Sequence, residues 1–553
     1  MKITHILNNK SVNNNVCCSS FLLTNKKGSY CFFGKQSRYN GIFFYYKGQM
    51  YKVIDSLIVS PKITHLQNKF GSVELRSKDL AQNFLMHDNS LICELSHEHI
   101  IELVLDIRKS YSMPQFGRFY SITNENNKVV IRYEEEGSFS CYLVLNSPDF
   151  EITDNWFEKK YPDDEKRNSF PYSSYVYSAL KVRTNKLILT FSFDKEKAIK
   201  ENNYVINNLS KLKNVKTKFN RKGNGQIAMA YSCCQNSLNG LMVSNTGIFA
   251  GLPWFFQFWA RDEAISLNSA IDMKQIKLIL GRLLSEITPC KNPVNYINGS
   301  TSSADAFGWI LKRAYEFDKQ LFRKNLKNLI LIKENSDLIV NNPGETWMDS
   351  LDRSGIRIEI QALYLNILRC IFNLTKDQKI KRLEERYKLK VKSNFWNNQY
   401  LIDGVSDITI RPNIFIAAYV YPDLLSRLEW IRCFETILPR LWLNWGGLST
   451  IDKKSPLFCS KHTGEDPKSY HNGDSWFFVN NMAALVMHRI DKRRFNKYIN
   501  KIMQASTKEI LWMGAVGHHA ELSSAERLSS KGSPMQAWSA AMYIELVNEL
   551  ENN

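Results

Sequence analysis

The sequence predicts two parts: an N-terminal β-sandwich domain over residues 1–205 and an all-α (α/α)6 barrel over residues 206–553. Three observations support this fold class. The chain has 553 residues, more than one ordinary domain uses, and its 44% hydrophobic residues suffice for large cores. Short β-type runs fill the first part of the chain. Helical patterns then recur to its end.

The β domain is predicted from short runs rich in β-branched, aromatic and aliphatic residues, which Asn, Gly, Asp or Pro turns separate. Several short strands at this spacing are typical of a sandwich. Two charged segments, Asp194–Lys200 and Lys211–Lys222, are expected to mark the passage to the second part. The six clearest runs are Ser29–Phe33, Gly41–Tyr46, Ile101–Ile107, Lys128–Tyr133, Ser138–Leu145 and Lys186–Phe193.

Twelve helices are predicted from about residue 225 onward. The helix over Arg357–Phe372 is apolar on nearly all sides and is expected to be buried, whereas the helix over Lys376–Lys390 is charged on most faces and is expected to be exposed. Twelve helices that alternate between inner and outer positions are what an (α/α)6 barrel requires. They begin near Gln226, Arg261, Met273, Ala304, Lys319, Arg357, Lys376, Pro412, Asp423, Gly473, Arg493 and Pro534.

Six loop segments of unusual composition each precede an even-numbered helix. In such a barrel the N-terminal ends of the inner helices converge on one mouth, so polar and aromatic side chains there would line a single pocket. The segments are Trp259–Asp262, Ser302–Asp305, Thr346–Asp349, Ile410–Asn413, Tyr470–Trp476, and Ala520–Glu521 together with Gln536–Trp538.

The first of these segments carries a concentration of aromatic rings. Five rings lie between Trp254 and Trp259, directly before Arg261 and Asp262. Flat rings can stack on the C–H face of a sugar while charged side chains bind its hydroxyls. A core helix with a surface Arg–Asp pair explains this stretch equally well when it is considered alone. Its position at the predicted mouth favours carbohydrate binding.

Glycosidic cleavage needs two carboxyl groups on opposite sides of the scissile bond. Asp349 follows Trp347, and desolvation beside an indole suits a general acid. A helix N-cap is the alternative role for this residue. Glu521 is predicted to lie outside a helix, and Glu526 is its rival. The other carboxyl candidates at the predicted mouth are Asp262, Asp305, Glu359 and Asp474.

The net charge of +19 is compatible with a nucleic-acid partner. However, the basic residues are scattered and form no block or known nucleic-acid motif, so no specific nucleic-acid partner is expected and this role is the weaker alternative. Neither a signal peptide nor a membrane-spanning segment is predicted, so no membrane association is expected.

The eleven cysteines show no Cys-x-x-Cys spacing, which indicates a reduced, cytoplasmic protein. Two histidine pairs, His97 with His99 and His518 with His519, lack an evident third ligand. No metal and no cofactor are therefore expected.

Several short motifs, taken in order, resemble the short, glucosidase-only form of glycogen debranching enzyme, an amylo-α-1,6-glucosidase. The N-terminal part contributes Arg38-Tyr-Asn-Gly41 and Leu105-Asp-Ile-Arg108. Each motif is short, but the set is specific and covers most of the chain. The later motifs are Gly251-Leu-Pro-Trp-Phe255, Trp259-Ala-Arg-Asp262, Thr346-Trp-Met-Asp349, Glu359-Ile-Gln-Ala-Leu363, Tyr470-His-Asn-Gly473 with Trp476, and Gln536-Ala-Trp-Ser539.

The resemblance implies an inverting hydrolase that removes α-1,6-linked glucose from glycogen or a related branched α-glucan. It assigns Asp349 as the general acid and Glu521 as the general base. Trp259, Arg261 and Asp262 would hold the terminal glucose. The further candidate substrate-binding residues are Trp254, Asp305, Trp347, Glu359, His471, Trp476 and Trp538.

This sequence departs from the family pattern at Asn472 and at Asp474-Ser475, which leaves the range of substrates more open than the reaction class. Two alternatives to a debranching glucosidase remain. One is another α-glucan hydrolase, such as a glucoamylase or a trehalase. The other is a catalytically silent glycan-binding protein that retains the pocket.

Overall fold

The structure is a computed structural model that describes residues 1–7, 10–16, 20–59, 62–146, 149–213, 225–287, 294–296, 299–329 and 337–551. These residues form two compact units. The first unit holds the described residues up to 213 together with segments 239–244 and 511–517. The second holds segments 225–238, 245–510 and 518–551. The division predicted after residue 205 stays a prediction, and that position falls within a helix over Lys195–Lys213.

The first unit is rich in β-structure, as the sequence predicted. Each of the six runs expected to be extended overlaps a strand. Two helices also occur, the short α1 over Pro162–Glu165 and the longer α2 over Lys195–Lys213. The strands are β1 Lys2–Leu7, β2 Lys10–Asn15, β3 Phe21–Thr24, β4 Tyr30–Phe33, β5 Gly41–Tyr46, β6 Gln49–Ile58, β7 His65–Asn68, β8 Ser72–Arg76, β9 Ala81–His87, β10 Ser90–Lys109, β11 Arg118–Glu125, β12 Lys128–Glu135, β13 Phe139–Leu145, β14 Phe150–Lys160 and β15 Ser173–Ser192.

These strands join in one 15-stranded mixed sheet. Its two longest strands, β10 and β15, pair with each other and change their second partner part-way along. β10 pairs first with β9 and then with β6, and β15 pairs first with β14 and then with β13. Register shifts in the β10–β15 ladder mark irregularities there. Bulges of this kind bend a strand, which lets one strand serve two stretches of sheet.

One late segment of the chain, residues 511–517, belongs to this β-rich unit. Ser20 forms a parallel bridge with Ala515. The imidazole of His5 lies 2.8 Å from the carbonyl of Leu511, and its ring contacts Trp512 with the centroids 5.3 Å apart. Local sequence patterns did not predict this excursion, because it depends on contacts across about five hundred residues.

The second unit is mainly helical, and its helices begin within a few residues of the twelve predicted starts. A 3-10 turn over Pro422–Leu424 occupies the start predicted at Asp423, and the α-helix follows it. The helices are α3 Gly225–Leu241, α4 Ala260–Ser266, α5 Met273–Ser285, α6 Ala304–Phe317, α7 Lys319–Leu329, α8 Ile358–Thr375, α9 Gln378–Phe395, α10 Asn413–Val420, α11 Arg427–Leu441, α12 Phe477–Asp491, α13 Asn496–Trp512 and α14 Ala537–Glu551.

Six of these helices form a closed ring: α4 packs on α6, α6 on α8, α8 on α10, α10 on α12, α12 on α14, and α14 on α4. Other helices pack against members of the ring, as α9 does against α8. As predicted, α8 is buried over most of its surface, and α9 buries only a stripe that includes Leu383, Tyr387 and Val391. Apolar periodicity therefore separates the ring helix from its outer neighbour.

Eight two-residue strands follow in the described part of the chain, and within the second unit β18 pairs with β23, β19 with β20, and β21 with β22. Their bounds are β16 Met242–Val243, β17 Gly247–Ile248, β18 Gly251–Leu252, β19 Trp442–Leu443, β20 Gly447–Leu448, β21 Ser475–Trp476, β22 Leu522–Ser523 and β23 Met535–Gln536.

None of the described helices is both long enough and apolar enough to span a bilayer.

Candidate active site

A pocket lies where the N-terminal ends of several ring helices meet. Four of the six predicted loop segments contribute side chains to its wall. The other two segments contribute side chains that contact lining residues. Asp305 accepts hydrogen bonds from Arg261, and Asn413 accepts a hydrogen bond of 2.7 Å from the Trp347 indole. The lining residues are Ala250, Phe255, Trp259, Arg261, Asp262, Trp347, Asp349, Tyr470, Trp476, Glu521, Gln536 and Trp538.

Two of the short strand pairs hold the loops that form this pocket. β18 pairs with β23, so that Gly251 lies opposite Gln536. β21 pairs with β22, so that Trp476 lies opposite Leu522, directly after Glu521. Backbone hydrogen bonds between loops that are distant in sequence therefore set the positions of several lining side chains.

Arg261 is the central cation of the pocket, and 6% of its side chain is exposed. Its Nη1 donates to both carboxylate oxygens of Asp305 at 3.3 Å, and its Nη2 donates to Asp349 at 3.5 Å. Asp262 is farther away, at 3.9 Å from Nε. Asp262 is thus an ion-pair partner of Arg261, but Asp305 and Asp349 lie closer to the guanidinium. Neighbours along a helix project in different directions, and the facing helix α6 supplies the closer carboxylate.

Asp349 lies in the loop before α8 and exposes 38% of its side chain. Desolvation by the pocket walls raises the pKa of this carboxyl above its ordinary value, and the negative charge of Asp305 adds to the effect. The positive charge of Arg261 opposes it. A carboxyl that is partly exposed to the pocket and holds its proton more tightly than usual suits a general acid.

Glu521 is held at both carboxylate oxygens. The hydroxyl of Tyr470 donates to Oε1, and the backbone N–H of Ser533 donates to Oε2 at 2.8 Å. Gly532 lies against this carboxylate, since a Cβ at that position would come within 2.2 Å of Oε2, and its φ is +63°. Donors on both oxygens fix the orientation of this carboxylate.

Asp262 is a third carboxyl of the pocket and is almost fully buried. Desolvation raises its pKa to about 7, and the charges of Asp349 and Glu521 act in the same direction. Arg261 lowers it. Asp262 lines the same pocket as Asp349 and Glu521.

Buried aromatic rings form one wall. Trp347 makes edge contacts with His471, Trp476 and Phe478 at centroid distances of 5.1 to 5.4 Å. His471 stacks on Trp476 at 5.0 Å, and Trp538 stacks on Phe478 at 4.2 Å. Burial and nearby arginines lower the pKa of His471 well below its ordinary value, so its ring is neutral. His471 supports the wall and is not one of its lining residues.

Glu359 lies in a buried ion network. Arg353 donates to Glu359 at 2.6 Å and to both carboxylate oxygens of Asp403 at 2.9 and 3.0 Å. Asp352 precedes Arg353 in the sequence, but the Arg353 guanidinium faces Glu359 and Asp403 instead. Asp352 is exposed and accepts a hydrogen bond from the backbone of Ser354, whereas the guanidinium points towards the buried carboxylates.

Three further candidates are absent from the lining residues. Asp474 faces His462 at 2.8 Å and accepts a hydrogen bond from Ser469 at 2.7 Å. Glu526 is exposed. Trp254 lies outside the set that lines the pocket. Within the described part of the chain, no group of three or more His, Cys, Asp or Glu side chains is arranged to hold a metal ion.

The sequence patterns did not identify Tyr470 or Gln536 as site residues, although both belong to the motifs already quoted. The only available signal was their position next to residues that the sequence did predict. Tyr470 directly precedes His471, and Gln536 precedes Trp538 by two residues. Which member of a motif faces the pocket depends on the strand pairs described above.

A family model described as "Amylo-alpha-1,6-glucosidase" matches residues 295–545. This part of the chain is similar to that family. The matched region carries Asp349, Tyr470 and Glu521. Arg261 and Asp262 precede it, so part of the pocket is supplied by chain outside the matched region.

The chain is also similar to a bacterial glucoamylase whose structure was solved in complex with acarbose. The TM-score is 0.63 at 13% sequence identity, and the match covers 98% of this chain and 96% of that one. Two structures of a glycosidase, one of them in complex with glucose, match 60% of this chain at 11% identity. Their TM-score of 0.46 is too low to support an argument. No curated protein matches the sequence significantly.

The family match supports a glycoside hydrolase that acts on α-glucans. The likeness to the glucoamylase structure, at 13% identity, concerns the fold. The N-terminal sheet-rich unit and the helical unit together account for the similarity over nearly the whole chain.

Proposed function

We propose that this protein is an inverting, exo-acting glucosidase that removes α-1,6-linked glucose from glycogen or a related branched α-glucan. The ring of six helices would be the inner layer of an (α/α)6 barrel, and the strands of the first unit would form a sandwich. The N-terminal ends of the ring helices would then be the mouth that receives the glucan chain.

The observation that carries this proposal is the contrast between two carboxyls of one pocket. Asp349 is partly exposed to the pocket and has a raised pKa. Glu521 accepts hydrogen bonds at both oxygens. Different environments for two carboxyl groups are what acid and base roles in glycoside hydrolysis require.

In the proposed reaction, Asp349 donates its proton to the glycosidic oxygen as the bond to the anomeric carbon breaks. Glu521 removes a proton from a water molecule, and the oxygen of this water bonds to the anomeric carbon from the opposite face. Glucose leaves with an inverted configuration. The shortened glucan leaves with the proton from Asp349, which returns to its acid form by proton exchange with solvent.

The remaining lining groups would bind the terminal glucose. Trp259 and the wall of Trp347, Trp476 and Trp538 offer apolar faces for the sugar ring. Arg261 and Asp262 would form hydrogen bonds with its hydroxyls. Asp305 would act indirectly, because it holds the guanidinium of Arg261 from behind.

A glucose-release assay tests the reaction and its linkage preference. Glycogen trimmed by phosphorylase carries single α-1,6-linked glucose stubs, so release of free glucose from it is the expected result. Faster hydrolysis of maltose-type or trehalose substrates than of isomaltose-type substrates would favour a glucoamylase or a trehalase. Binding of glycogen without any release would favour a glycan-binding protein.

Stereochemistry tests the assignment of the base. Because the water attacks from the face opposite the leaving group, proton NMR should detect β-glucose before mutarotation. Glu521→Gln should abolish release, and Glu526→Gln, at an exposed position in the same loop region, should not. Initial formation of α-glucose would require a retaining mechanism and would end the assignment of Glu521 as the base.

A further inference from the structure

A second cavity lies within the first unit. It is lined by side chains from β3, β4, β6, β7, β8, β9 and β14 and from loops between them, and its volume is about 400 Å³. Sites for small molecules typically enclose roughly 300–1,000 Å³ and are mostly apolar with a few polar groups. Among the described residues, this cavity and the candidate active site have no lining residue in common.

Part of the lining is an aromatic cluster. Pairing of β3 with β4 sets Phe21 opposite Phe33, and their ring centroids are 5.6 Å apart. Phe84 of β9 contacts both rings, at 5.4 and 5.8 Å. Three rings in mutual contact on a cavity wall offer a continuous apolar surface to a ligand.

Gln82 is a polar side chain that faces the same space. The alternation of β9 buries Gln82 and Phe84 on one side of the strand, and β8 sets Leu75 opposite Gln82. Gln82 is 5% exposed and lines the cavity. Its amide has no hydrogen-bond partner among the described residues and retains accessible surface. Buried polar groups are normally hydrogen-bonded, so this amide indicates a ligand or water in the cavity.

A second part of the lining is polar and basic. Nζ of Lys159 donates to Oγ of Ser56 at 2.7 Å and to Asp55. Asn40 donates to the backbone carbonyl of Asp55 at 3.1 Å and accepts from the backbone N–H of Lys35 at 3.3 Å. Both charged side chains that line the cavity are lysines, Lys35 and Lys159. No acidic residue occurs among the lining residues that the structure describes.

Behind Lys159 lies a buried ion network with an excess of positive charge. Burial alone would raise the pKa of Asp55, but the charges of Lys52 and Lys159 hold it below its ordinary value, so Asp55 is ionised. The network has two more cations than carboxylates, and an uncompensated buried charge is costly. Its members are the cations Lys52, Arg108, Arg118 and Lys159 and the carboxylates Asp55 and Asp106.

We propose that this cavity binds an amphiphilic carboxylate, a small molecule with an alkyl chain and one carboxylate end. The carboxylate pairs with the ammonium groups of Lys159 and Lys35, which offsets part of the excess charge. The alkyl chain lies against the cluster of Phe21, Phe33 and Phe84. This site goes beyond the proposed function, because its lining residues all belong to the first unit and none of them takes part in the proposed hydrolysis.

Calorimetry on the full chain with octanoate and 1-octanol tests the site, because these probes share an alkyl chain and differ in charge. The wild type should bind one octanoate per chain and should bind 1-octanol about 10- to 100-fold more weakly, the value of a hydrogen bond to a charged group. Lys159→Met keeps an unbranched side chain without the ammonium. It should lose about 10- to 100-fold in octanoate affinity and bind 1-octanol as the wild type does.

Lys160→Met is the matched control. Lys160 is the next residue of β14, is exposed and is not a lining residue, so its loss should leave both affinities unchanged. Phe33→Trp tests the apolar part of the site. Phe33 is half-buried, and a larger ring there should fill part of the cavity and weaken the binding of both probes. Thermal unfolding of each variant establishes that it is folded.

Three results would overturn the inference: no octanoate binding by the wild type, 1-octanol binding as tight as that of octanoate, or an octanoate affinity that Lys159→Met leaves unchanged. Adsorption at several sites that neither Lys159→Met nor Phe33→Trp weakens would overturn it as well. If Lys159→Met does not fold, Phe33→Trp decides, because unchanged affinity for both probes in that variant would place their binding elsewhere.

Discussion

Asp349→Asn is the substitution that most directly tests the proposed chemistry. It replaces a carboxyl by an amide of the same shape, which cannot donate the proton that a departing glucosyl oxygen needs. General acid catalysis contributes about 10²- to 10⁴-fold, so turnover on an α-1,6-linked stub should fall by that factor. This corresponds to about 3–5 kcal/mol of activation free energy.

The environment of Asp349 indicates that the fold should tolerate this change. The raised pKa means that the folded state favours the neutral form of the carboxyl. An uncharged amide therefore removes no net electrostatic stabilisation, and Arg261 retains its two contacts with Asp305. The free energy of unfolding of Asp349→Asn at neutral pH should be at least close to that of the wild type.

The assay compares glucose release from phosphorylase-trimmed glycogen with hydrolysis of α-glucosyl fluoride. Fluoride is a leaving group that needs no proton, so Asp349→Asn should lose much less activity on the fluoride than on the glucan. Asp352→Asn is the matched control, because Asp352 lies three residues away and is exposed. Near-normal glucan hydrolysis by Asp349→Asn, or an equal loss on both substrates, would refute the assignment of Asp349 as the general acid.

Three further predictions concern the groups around the two catalytic carboxyls. Tyr470→Phe removes the hydroxyl that donates to Glu521, so turnover should fall by about 10- to 100-fold, the value of a hydrogen bond to a charged group, while glucose affinity measured by calorimetry should change little. Gly532→Ala should lower both activity and thermal stability more than Gly137→Ala does. Both glycines have positive φ, +63° and +66°, but only a Cβ at Gly532 meets Glu521, so equal effects would contradict a role in holding that carboxylate. For Asp262, the folded state binds the proton more tightly than the unfolded chain does, so its ionisation destabilises the fold as pH rises from 3.8 towards about 7. The unfolding free energy of Asp262→Asn relative to the wild type should therefore increase over this range, by about 4 kcal/mol at most, and a difference that is constant with pH in denaturant titrations would refute the argument.

The predictions that succeeded from the sequence rest on local periodicity. The apolar pattern of Arg357–Phe372 predicted a buried helix, and α8 is buried. Runs rich in β-branched, aromatic and aliphatic residues predicted strands, and the run Gly41–Tyr46 appears as a strand with the same bounds. Hydrophobic period depends only on neighbouring residues, so the type and approximate position of an element can be read without knowledge of the fold.

The same reasoning located the pocket, because residue type and position relative to helix starts are also local. Trp259, Arg261, Asp262, Asp349 and Glu521 were each predicted from a polar or aromatic segment before a helix, and all five line the pocket. The ring of helices brings those segments together.

The sequence did not determine which charged groups are partners. Arg261 contacts Asp305 more closely than the adjacent Asp262, and Arg353 contacts Glu359 and Asp403 rather than Asp352. Side chains of adjacent residues diverge, whereas helices that pack side by side bring distant residues face to face. Ion pairing in a buried site is therefore decided by packing between elements and not by spacing along one of them.

Tertiary structure also decided the positions of Tyr470 and Gln536. Composition and spacing mark both only as members of motifs. The loop before α12 directs the Tyr470 hydroxyl at Glu521, and the β18–β23 pair sets Gln536 opposite a glycine. The sequence alone determined the elements, the reaction class to be expected and the catalytic carboxyl candidates. The orientation of each side chain was decided by contacts between segments far apart in the chain. A hydrogen bond requires its donor and acceptor to be placed to within a few tenths of an ångström, and no local sequence pattern encodes such placement.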